Sequence, residues 1–184
     1  MAFKPKLAPT IKAAEWLNTE QSLQLEAMRG KVILIEAFQM LCPGCVSHGL
    51  PQAMRVYQTF KHDDVQVIGL HTVFEHQEAQ GTKSALKAFL HEYKITFPVA
   101  IDAPSEMGGI PKTMSTYQMQ GTPTLILIDR NGYLRKQKFG MEQDLMLGAE
   151  IMALMCETDV FADSKSEAKQ ANHSGECDKH GCSL

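Results

Sequence analysis

Two cysteines three apart, with small or rigid residues between them, can do two kinds of chemistry. As thiolates they can clamp a soft metal ion, or they can make and break a disulfide. Cys42 and Cys45 stand this way in "FQMLCPGCVSHGLP", with Pro43 and Gly44 between them. Haem attachment needs a histidine directly after the second cysteine, and Val46 occupies that place. A zinc site needs four ligands; Cys42, Cys45 and His48 offer three, so the fourth must come from elsewhere. Packing as small hydrophobes is the remaining alternative.

The flanking elements decide how the pair is held. "GKVILIEAF" (Gly30 to Phe38) is a short apolar run rich in β-branched residues. It predicts a strand buried on both faces, with Glu36 an unexpected charge inside it. After the cysteines, Val46, Leu50, Met54, Tyr57 and Phe60 recur at helical spacing. Gly49 and Pro51 interrupt that helix, and Pro51 should kink it for want of an N–H donor. A strand followed by a helix puts Cys42 at the N-cap and Pro43 at the first helical position, where its missing N–H costs nothing. The unpaired N–H groups and positive helix end there favour a thiolate. Cys45, one turn inside, should be shielded. Cys42 then attacks a disulfide, and Cys45 attacks the mixed disulfide to release the product.

The rest of the chain reads as alternating elements. "VQVIGLHTV" predicts a second buried strand, and "TKSALKAFLHEY" an amphipathic helix capped by Thr82, with Leu86, Phe89, Leu90 and Tyr93 on one side. "FPVAID" predicts a short strand or sheet edge, residues 103–111 a loop, and "PKTMSTYQM" a short helix with Pro111 in its first turn. Leu125–Ile128 and Tyr133–Phe139 predict a hairpin, closed by Asn131-Gly132 with both residues at positive φ. Glu142 to Met155 predicts a closing helix whose apolar face holds Leu145, Met146, Ala149, Met152 and Met155, the methionines filling the core. Cys156, at its end, is expected to be packed. Glu15 to Leu17 would add an edge strand. The fold class is an α/β sandwich with a mixed central sheet flanked by helices.

A buried strand, C-x-x-C at a helix start, and "GTPT" entering a hairpin together resemble the thioredoxin superfamily. The segment "VIGLHTVFEH…FLHEYKITFPVAID" resembles its TlpA/ResA-like or redoxin (AhpC/TSA-like) branch. The resemblance covers about residues 14–155. It implies a thioredoxin-like three-layer sandwich and a thiol–disulfide oxidoreductase, with Cys42 as nucleophile and Cys45 as resolving cysteine. It implies a cis Pro123 beside the pair, with Thr122 meeting the substrate backbone and Pro43 and Gly44 completing the substrate-facing set. Glu36, six residues before Cys42, matches a buried acid behind the second cysteine, whose raised pKa would let it relay a proton. Glu75 matches a glutamate near the pair, and His48 is a further candidate for tuning it. Leu41 replaces the usual tryptophan, which implies a more aliphatic groove. Gln39 stands where peroxiredoxins carry threonine, so peroxidase chemistry is not expected.

Residues 1–156 are read as one domain and residues 157–184 as a polar, flexible tail. His173, Cys177, His180 and Cys182 in the tail could hold Zn²⁺ or Cu⁺, which makes a metal-handling module the alternative function. Cys177 and Cys182 could instead exchange with the core pair. No organic cofactor is expected. The net charge of −3 and mixed composition point away from nucleic acid, and no run approaches the ~20 apolar residues of a membrane span. The expected partners are protein thiols and disulfides and an upstream electron donor or acceptor. The expected location is the cytoplasm, or the periplasm if a signal or anchor precedes this sequence. There a reductase with an antioxidant or redox-homeostasis role is expected.

Overall fold

The computed structural model describes residues 6–157. Its strands are β1 (Ala13–Leu17), β2 (Val32–Phe38), β3 (Val65–His71), β4 (Val99–Asp102), β5 (Thr124–Ile128) and β6 (Leu134–Phe139). Its helices are α1 (Leu50–Thr59), α2 (Gln77–Gln80), α3 (Lys83–Glu92), α4 (Lys112–Thr116) and α5 (Asp144–Cys156). The strands form one mixed sheet in the order β1-β4-β3-β2-β5-β6. β2, β3 and β4 run parallel, while β1, β5 and β6 pair antiparallel with their neighbours. β4 is therefore internal, and β1 is the edge.

β2 is buried along its whole length, as its continuous apolar run requires. Its alternate residues serve two cores. Val32, Leu34 and Phe38 face Leu50 and Val56 of α1, Leu86 and Leu90 of α3, and Leu147 and Ile151 of α5. Ile33, Ile35 and Ala37 face Leu25, Met28, Met114, Tyr117 and Met119. This is a three-layer sandwich in which the cysteine pair sits where the central strand hands over to a helix. Thr82 caps α3 by accepting the Ala85 N–H at 3.2 Å.

Two expectations fail on α5. Its buried row is Leu147, Ile151 and Leu154, while Leu145, Met146, Ala149 and Met152 are exposed and Met155 is half-buried. The helix is apolar on nearly every side, so periodicity could not choose the face; packing against β2 did. Cys156 is exposed rather than packed. The hairpin also differs. The Gly132 N–H reaches the Asp129 carbonyl at 2.8 Å, and Gly132 (φ 82°) is at positive φ while Asn131 is not. The loop is longer than a two-residue turn, and one left-handed glycine suffices to close it.

Candidate active site

The helix after β2 starts at Pro43, and Cys42 is its N-cap. The Cys45 N–H donates to Cys42 Sγ at 3.2 Å, the orphan first-turn donor that an N-cap sulfur should receive. The Cys42 thiol donates to the Thr122 carbonyl at 3.4 Å. The Thr122–Pro123 peptide is cis, and Pro123 Cδ lies close enough to Gly44 that a side chain there would crowd it. Cys42 is half-buried, whereas Cys45 is wholly buried. Burial pushes the Cys45 thiol up, and its hydrogen bond to Cys42 adds to the rise. The pair is thus asymmetric in the sense expected: one reachable sulfur, one shielded thiol behind it.

Behind the pair the helix widens into a single π-type turn, Cys45–Gly49, before α1 begins. Pro51 falls at the start of α1, so its missing N–H is absorbed where the helix changes pitch. The wide turn brings Gly49 against Glu36. A Cβ on Gly49 would lie 2.2 Å from Glu36 Oε1 and 3.1 Å from Pro123 Cβ, so only glycine fits. Glu36 is 1% exposed, and its Oε1 has no hydrogen-bond partner among the described residues. Desolvation pushes its carboxyl from 4.5 up to about 8. Glu36 therefore holds a proton at neutral pH. It borders a cavity of about 50 Å³ shared with His48, Gln52, Arg55 and Asp144.

In front of the pair lies a groove of about 330 Å³, lined by Leu41, Cys42, Pro43, Glu75, Thr122 and Phe139 among others. Its frame is a pair of buried amides that sequence reasoning missed. Gln39 Oε1 accepts the Phe74 N–H at 3.2 Å, the Glu75 N–H at 3.3 Å and Gln80 Nε2 at 3.2 Å. Gln39 Nε2 donates to Thr122 Oγ1 at 3.4 Å. Gln80 Oε1 accepts the Leu41 N–H at 3.0 Å, and its Nε2 donates to the Glu75 carbonyl at 2.8 Å. Two side chains thus tie the end of β2, the cysteine turn, the 73–76 loop and the Pro123 loop together. A glutamine just past an apolar strand was the available signal, because a buried amide must find partners.

The structure brings Cys42, Cys45, Pro43, Gly44, Thr122, Pro123 and Glu36 together, with Glu75 exposed on the groove rim. His48 does not line the groove; it is exposed at the cavity that reaches Glu36. Among the described residues no group of three or more His, Cys, Asp or Glu side chains is placed to hold a metal, so Cys42, Cys45 and His48 do not converge as ligands. The tail candidates His173, Cys177, His180 and Cys182 lie outside the described residues. No helix among the described residues is long and apolar enough to cross a membrane.

The sequence matches the AhpC/TSA family over residues 6–137. Protein DipZ of Mycobacterium bovis is 32% identical over 139 residues, 72% of this chain and 18% of DipZ, so the chain spans only that part of DipZ. Thiol-disulfide oxidoreductase ResA of Bacillus thuringiensis is 28% identical over 142 residues, 76% of this chain and 74% of ResA. A thiol-disulfide isomerase from Corynebacterium glutamicum superposes with a TM-score of 0.80 at 47% identity, covering 84% of this chain and 98% of that one. A thioredoxin-like superfamily protein does so with a TM-score of 0.80 at 55% identity, covering 83% and 97%. The match runs over more than half of the chain, and the cysteine turn and cis Pro123 stand where such a fold needs them: the chain belongs to the AhpC/TSA family, in its TlpA/ResA-like, thioredoxin-fold branch.

Proposed function

We propose that the protein is a protein disulfide oxidoreductase working in the reducing direction through Cys42 and Cys45. The observation that carries this reading is the asymmetry of the pair. Cys42 Sγ lies on the groove at the N-cap, within 3.4 Å of the Thr122 carbonyl, and Cys45 is sealed behind it. In the forward reaction the Cys42 thiolate attacks a partner disulfide. The partner S–S bond breaks, a Cys42–partner bond forms, and one partner thiolate leaves. Glu36 first releases its own proton; Cys45 then gives its proton to the Glu36 carboxylate so formed and attacks Cys42 Sγ. The second partner thiolate leaves, and the partner has gained two electrons while the protein holds a Cys42–Cys45 disulfide.

A carboxyl poised near pH 8 is well matched to taking and returning this proton. An upstream dithiol protein resets the pair, no organic cofactor takes part, and a reducing compartment such as the cytoplasm suits this direction. Reduction of a model protein disulfide by a dithiol donor tests the proposal. Turnover should require Cys42, and Cys42→Ser should fall to the uncatalysed rate; equal rates for the two proteins would reject it.

A further inference from the structure

Glu36 has an opening of its own, separate from the substrate groove. The cavity of about 50 Å³ is lined by buried Glu36 and Gly49 and by exposed His48. Its lining shares no residue with that of the groove. It has room for one or two water molecules, each taking about 30 Å³ of liquid, and both Glu36 and Gln52 offer them polar partners. Glu36 Oε1, which no described protein group hydrogen-bonds, lies against Gly49, the residue next to His48.

The other charged groups at this cavity cannot store a proton near neutrality. Hydrogen bonds from Arg55 and Gln52 hold Asp144 below the usual carboxylate range. Lys136, with Gln143 and Lys138 behind it, holds Glu142 down at about 2. In the sheet, Glu36 is flanked by Gly69 and Leu125, which do not titrate. His48 is the histidine of this lining, an exposed ring whose two nitrogens can take up a proton on one side and give one up on the other.

We infer that His48 relays the proton of the resolving step between Glu36 and bulk solvent through water in this cavity. The route stays open while a bound partner covers the groove. This rests on the reading of Glu36 as the base for Cys45. The proton resident on Glu36 crosses by cavity water to the His48 ring and is released, and the carboxylate left behind takes the proton of Cys45 Sγ as that thiolate forms. No electrons move along the relay.

The test is rapid mixing of the reduced protein with a model peptide disulfide in weakly buffered solution at neutral pH, following release of the second peptide thiol. His48→Ala should slow this release at least about tenfold, and added imidazole should restore it in proportion to its concentration. Wild type should not respond to imidazole, and Glu36→Gln should be slow and stay slow. Wild-type release by His48→Ala, or a slow release that imidazole leaves unchanged, overturns the relay; the base reading survives if Glu36→Gln is still slow. Wild-type release by Glu36→Gln sinks both.

Discussion

The front and the back of the cysteine pair are built on opposite principles. In front, Gln39 and Gln80 are buried and neutral, and both amides are tied into the loops around the groove. Behind, Glu36 is as deeply buried but leaves an oxygen without a partner among the described residues, beside a small cavity. A satisfied amide network fixes positions and does not titrate. An unsatisfied carboxyl fixes little and is driven to its neutral form by desolvation. In the proposed function the difference separates two tasks: the front would hold a partner's backbone in register, and the back holds a proton.

The largest expected effect breaks the comparison at the back. Glu36 binds its proton more tightly folded than unfolded, so its contribution to stability is full below about pH 4.5. It falls as pH rises and levels off above about 8. That interval corresponds to roughly 5 kcal/mol at most. His71, held down at about 4 by burial, acts in the opposite sense between there and 6.5. The difference between wild type and Glu36→Gln, followed by chemical denaturation from pH 5 to 9, isolates Glu36. Glu36→Gln should gain steadily on wild type as pH rises; a constant difference would mean that Glu36 does not hold a proton at neutral pH.

Gly49→Ala should cost about 1–3 kcal/mol, because its Cβ meets Glu36 Oε1 and Pro123. Shortening Glu36 to alanine in the same chain should recover part of the loss, and additive losses would show that the clash lies elsewhere. At the front, Gln80→Leu strands the Leu41 N–H and the Glu75 carbonyl, at about 1–3 kcal/mol. It should raise KM for a protein disulfide more than it lowers kcat, since the groove loses its frame while the sulfurs remain. A kcat loss with unchanged KM would place Gln80 in the chemistry instead. The smallest effect is Cys156→Ser, within about 0.5 kcal/mol and with no change in rate, because that thiol is exposed at the end of α5.

The site was legible in the sequence wherever chemistry depends on neighbours along the chain. The strand before Cys42, the proline after it and Glu36 within the apolar run all declared themselves by spacing. The parts that depend on distant segments did not. Gln39 and Gln80 are 41 residues apart and meet only because α2 folds back over the end of β2. The buried face of α5 was misread because Leu145 and Met146 are as apolar as Leu147, and only packing into the core beside β2 decides which is buried. The Gly49 slot needed the wide turn, which no residue pattern announces.

The most direct test of the account is the identity of the sulfur that a partner captures. Cys45→Ser protein, mixed with a disulfide-bearing protein and quenched, should accumulate a mixed disulfide, and mass spectrometry should locate it at Cys42. Cys42→Ser should accumulate none, because Cys45 is wholly buried and its thiol is pushed up. Adducts at Cys45 as abundant as those at Cys42, or none on either protein, would contradict the account.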